Sequence, residues 1–95
     1  MPKAYLIAHV TVNDPERYKE YVRLDTPVVE RFGGRFVVRG GEAEVLEGAA
    51  KDRHVVIEFP DMETARAFYA SSDYQRAAAI RRATAESDLV LVEGA

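Results

Sequence analysis

The sequence predicts an α+β domain of the split βαβ kind, in the order βαββαβ with an extra short helix. Two observations carry this. One motif occurs twice, 47 residues apart: an apolar strand runs into an Asp helix cap, followed two residues later by Glu and then by an aromatic-bearing helix. The copies are Leu6 to Val12 with Asp14, Glu16, Tyr18 and Tyr21, and Val55 to Phe59 with Asp61, Glu63, Phe68 and Tyr69. Between them lies glycine-punctuated β-rich material, and two strand–helix units split by a hairpin make the ferredoxin-like arrangement.

Along the chain, Leu6, Ala8, Val10 and Val12 form an apolar row, while Tyr5, Ile7, His9 and Thr11 form a mixed one. Both faces of the first strand therefore look covered. Asp14 caps the first helix with Pro15 at its first position, where a missing N–H costs nothing, and Tyr18, Val22, Val29 and Phe32 continue a helical stripe. Thr26-Pro27 is expected to kink or break that helix, and Gly33-Gly34 to end it. Arg35 to Arg39 reads as a short strand and Ala43 to Glu47 as further strand-like sequence, with Gly40-Gly41 between them either a hairpin turn or a bulge. Arg53 to Phe59 is a strand stopped by Pro60. A helix from about Met62 to Ala70 is broken and recapped at Ser71-Ser72-Asp73, and a third runs from Tyr74 to about Ala85. Leu89 to Val92 reads as a last strand buried on both sides.

The 95 residues make one domain, 1–95, near the lower end of what supports a core. A net charge of −3 excludes a strongly basic nucleic-acid binder and offers no polybasic membrane anchor. No apolar run is long enough to span a bilayer, and Met1-Pro2-Lys3 does not open a signal peptide, so a cytoplasmic address is expected. The absence of cysteine excludes disulfides, thiolate nucleophiles and cysteine-ligated metals.

Right-handed βαβ crossovers place both helical layers on one face of the sheet. The other face then carries Tyr5, Ile7, His9, Thr11, His54, Val56, Glu58 and one row of the last strand. So apolar a face is unusual in a monomer. A homodimer packed sheet to sheet is expected, each partner burying on the order of 800 Å² or more.

Arg39-Gly40-Gly41, Glu58-Phe59-Pro60, Ala67-Phe68-Tyr69, Tyr74, Arg81 and the closing Leu91-Val92-Glu93-Gly94 resemble the bacterial domain of unknown function 1330, over nearly the whole chain. The resemblance implies a dimeric α/β barrel. It implies no activity, because the wider fold relatives include cofactor-free monooxygenases, muconolactone-isomerase-like enzymes and haem proteins.

No catalytic or cofactor motif stands out, and no cofactor is expected. His9, mid-strand on the mixed face, could be a general base or a hydrogen-bonded interface histidine. With His54 and Glu58 it could make a two-His, one-carboxylate set, but the spacing is no recognised ligand pattern and no metal is expected. Arg81 could clamp a carboxylate or phosphate, with Tyr74 seven residues earlier on the same helix face, or form a structural ion pair. Arg39 could bind an anion with the N–H groups of the glycine turn, or pair with Glu42. Phe59, Tyr69 and the other aromatics could line a ligand cavity or simply be core. The basic Arg76, Arg81 and Arg82 read as a solvated face, and the glycine pairs lack phosphate-loop spacing. The leading expectation is a homodimer binding a small acidic or aromatic metabolite near Tyr74, Arg81, His9 and Phe59, with or without catalysis. The alternative is a non-catalytic association or regulatory module without a pocket.

Overall fold

The computed structural model describes residues 2–95. Strands β1 (Ala4–Val12), β2 (Arg35–Arg39), β3 (Arg53–Phe59) and β4 (Ala85–Glu93) and helices α1 (Pro15–Arg31), α2 (Met62–Ala70) and α3 (Ser72–Thr84) follow in the order β1-α1-β2-β3-α2-α3-β4. The sheet has the order β2-β3-β1-β4, with antiparallel neighbours throughout. This is the ferredoxin-like α+β fold. Both expected caps form: Asp14 Oδ1 accepts from the Arg17 N–H at 3.2 Å and Asp61 Oδ1 from the Thr64 N–H at 2.7 Å. Ser71 caps α3 in the same way through the Tyr74 N–H.

Four expectations are corrected. α1 runs through Pro27 without breaking, and the Thr26 hydroxyl donates to the Val22 carbonyl at 2.7 Å just before it. Packing of the α1 stripe outweighs the single lost backbone bond. Ala43 to Glu47 forms no strand: it belongs to an exposed loop in which Val45 and Leu46 face outward. Gly40-Gly41 is neither hairpin turn nor bulge. Gly40, at φ +68, closes β2 by donating its N–H to the His54 carbonyl, and the irregularity in register falls instead between Phe36 and Val38. β4 is also longer than Leu89 to Val92, and within the single chain Val90 and Val92 on its outer face are 52% and 43% exposed.

Side-chain parity is as the sequence implies. Ala4, Leu6, Ala8 and Val10 with Val55, Ile57 and Phe59 are buried against Val28, Val29, Phe68, Tyr74, Ala77 and Ala78 from the helices. Gly34 is required where α1 meets β3, since a Cβ there would stand 2.7 Å from the Phe59 ring. On the opposite face, register places Val38 beside Val56, Val56 beside Ile7 and Ile7 beside Val90. An apolar row thus crosses all four strands with no helix over it. No helix of the described residues is long and apolar enough to cross a membrane.

Candidate functional site

Helix α1 buries Tyr18, Tyr21, Asp25, Val28 and Val29 at three- and four-residue intervals, so Asp25 occupies a core position. Opposite it stand Leu6, Ala8 and Val10 of β1, Val55 and Ile57 of β3, and Phe36 and Arg39 of β2. Arg53, at the start of β3, and Arg81, on α3, complete the walls of a cavity of about 20 Å³. That is room for one water molecule.

The cavity is apolar in most of its lining but polar where it matters. Asp25 is 4% exposed and Arg81 5%. Asp25 Oδ1, Arg53 Nε and Arg81 Nε are the buried side-chain atoms without a hydrogen-bond partner among the described residues. Such groups cost stability unless something satisfies them. Burial pushes the Asp25 carboxyl up to about 6, against the opposing pull of the Arg39 charge, the nearby Tyr21 and Thr26 hydroxyls, and Arg53. The Tyr21 and Tyr74 hydroxyls meet at 3.0 Å, and burial raises the Tyr21 phenol well above its ordinary value, so it stays a neutral donor. Arg81 donates from Nη1 to Ser87 Oγ at 2.6 Å, and its guanidinium lies over the Tyr21 ring. Around one carboxyl therefore stand three permanent cations and a hydroxyl pair.

Arg39 forms the outer rim. Its guanidinium lies 3.8 Å from the Phe36 ring centroid and donates to Thr26 Oγ1, while Glu42 falls in the loop beyond β2 and makes no cross-strand pair with it. Gly40 gives its N–H to the sheet, so it does not serve the anion-binding turn expected beside Arg39. The Arg53 guanidinium packs against Gly40, and a Cβ there would collide with it.

The structure does not bring His9 to this cavity. His9 lies on the opposite face of the sheet, where its Nδ1 meets Nδ1 of His54 at 2.8 Å, a contact that requires one nitrogen to carry hydrogen and the other to lack it. Glu58, four residues along β3, is held by Arg35 Nε and the Tyr5 hydroxyl, each at 3.0 Å, and by Lys3. Those donors, the Arg35 hydrogen bond foremost, keep its carboxyl below the ordinary range. Glu58 sits about 13 Å from His54 along the strand at ~3.3 Å per residue, so the two histidines and this carboxylate form no ligand set. Among the described residues no group of three such side chains could hold a metal.

Of the other sequence candidates, Arg81 and Arg39 line the cavity and Tyr74 reaches it through Tyr21. Phe59 is fully buried core against Phe68, and Tyr69 lines a separate open groove of about 410 Å³ shared with Arg81, Arg82, Ser87 and Leu89. The expected site at Tyr74, Arg81, His9 and Phe59 is therefore not one place. Sequence reasoning missed Asp25 and Arg53. Asp25 had a signal: it falls seven residues after Tyr18 and four after Tyr21, squarely in the helical stripe.

Solved structures share this fold. A protein of unknown function from Rhodopseudomonas palustris, RPA0582, matches at TM-score 0.81 and 22% identity, over 99% of this chain and 83% of that one. A dimeric ferredoxin-like protein of unknown function from Jannaschia sp. CCS1 matches at TM-score 0.77 and 14% identity, over 97% and 99%. SnoaB, a cofactor-independent oxygenase from Streptomyces nogalater, matches at TM-score 0.67 and 19% identity, over 100% and 95%. No curated protein matches the sequence. The family model "Domain of unknown function (DUF1330)" matches residues 3–95, and with the four-stranded sheet and its helical layer already described, the chain belongs to that family.

Proposed function

We propose that the chain is a homodimeric domain that binds a small acidic metabolite in the cavity beneath α1, the outer faces of two sheets packing together. The observation that carries the ligand reading is the trio of unsatisfied buried atoms, Asp25 Oδ1, Arg53 Nε and Arg81 Nε, around one cavity. Guanidinium donors left open in an apolar wall suit a carboxylate better than any neutral group. A guest larger than water enters by displacing Arg39, which is exposed, from the Phe36 ring at the rim. SnoaB, a cofactor-independent oxygenase of the same fold, supports reading the site without a resident cofactor. The dimer reading is supported by the uncovered Val38, Val56, Ile7 and Val90 row and by the dimeric fold neighbours.

The small cavity favours a second reading, an association module in which the arginines only fix α1 and α3 to the sheet. Calorimetric titration with acetate, 2-oxobutanoate and benzoate separates the two. Ligand binding predicts heat from at least one acid, weakened about tenfold in Arg39→Gln, a loss of about 1.4 kcal/mol, with the folded mass unchanged. Silence from all three acids leaves the association module.

A further inference from the structure

We propose that Asp25 Oδ1 accepts a proton from a small carboxylic acid that carries a C–H next to a carbonyl, making the cavity a site for redox-neutral proton transfer. This rests on the ligand reading above and adds the chemistry to it.

One cavity is shared by a buried carboxyl and two buried guanidinium donors. Asp25 is 4% exposed, its Oδ1 has no hydrogen-bond partner, and it lines a cavity with Leu6, Ala8, Val10, Val55 and Ile57. A carboxylate stripped of water in such a place is a stronger base than one at the surface. Arg53 Nε–H and Arg81 Nε–H are likewise without a partner, and both residues line the same cavity. They supply fixed donors where negative charge would gather, and the Tyr21–Tyr74 hydroxyl pair adjoins them. In the step, the C–H bond breaks and its proton goes to Asp25 Oδ1. The electron pair becomes a carbon–carbon π bond as the carbonyl π pair moves onto oxygen, giving an enolate held by the arginines. The proton then returns to the same carbon or to a conjugated one, so the net change is exchange with solvent or isomerisation, and no electrons are gained or lost. A carboxyl titrating at about 6 is also matched to this work near neutral pH.

The test is hydrogen–deuterium exchange at C3 of 2-oxobutanoate and at C2 of acetoacetate, followed by proton NMR in D₂O with the full chain. Exchange above the buffer rate, rising with pH through about 6 and falling about 100-fold in Asp25→Asn, is the expected result, provided that variant still binds the acids by calorimetry. Binding without accelerated exchange of either acid overturns the proton-transfer proposal and leaves the binding reading intact. Exchange that survives in Asp25→Asn but disappears in His9→Ala overturns it in favour of the other face. Absence of binding in the wild-type chain sinks the ligand reading and this proposal with it.

Discussion

A charged residue inside a helical stripe is ordinarily read as facing solvent, and Asp25 is the case where that habit misleads. Tyr18, Tyr21, Val28 and Val29 fix which side of α1 is buried, and Asp25 lies on it. Its consequence for stability has a definite sign. A carboxyl raised from 3.8 to about 6 on folding holds its proton more tightly in the folded state, so its contribution is greatest below pH 4 and declines as pH rises through about 6. By pH 7 the decline reaches at most about 3 kcal/mol. Asp25→Asn should therefore be more stable than the parent at pH 7 and should gain nothing at pH 3.5, which melting temperatures measured across that range would show. A difference between the two proteins that is independent of pH would contradict the burial argument. Arg53 escaped sequence reading for another reason: at a strand start its long side chain can run either way, and only the fold shows it crossing to Gly40.

Elements were legible where local chemistry decides them. The duplicated Asp caps, the stop at Pro60 and the alternation of Val55, Ile57 and Phe59 each rest on nearest neighbours, and each is present. Asp61→Ala should accordingly cost about 1 kcal/mol and lower the melting temperature by roughly 4–8 °C in a domain of this size. A loss below 1 °C would mean that α2 is held by its buried Ala65 and Phe68 alone. Illegible were the segments governed by tertiary context. Ala43 to Glu47 has strand-like composition but pairs with no strand, although β2 leaves one edge of the sheet open. Pro27 remains inside α1 because helix packing across the sheet overrides a local preference.

At the scale of the molecule, one sheet serves two purposes on its two sides. Leu6, Ala8 and Val10 wall the cavity while Ile7 and His9, from the same strand, face outward. Parity made this division visible in the sequence, yet not its result, that His9 and Arg81 cannot meet. Ile7→Glu, in the middle of the apolar row, should raise the dissociation constant of the proposed dimer about 30-fold or more, as loss of about 2 kcal/mol implies. Light scattering at micromolar concentration would then report single-chain mass, and an undisturbed dimer would show that some other surface joins the copies. The side that β2 serves depends on how many residues it has. Because Val37 is surplus to the pairing between Phe36 and Val38, excising it would leave Arg39 opposite Val55 and still inside. Inserting one residue after Val38 would do the reverse, carrying the Arg39 guanidinium off the cavity wall and onto the uncovered apolar row, so that a single codon would alter both faces at once.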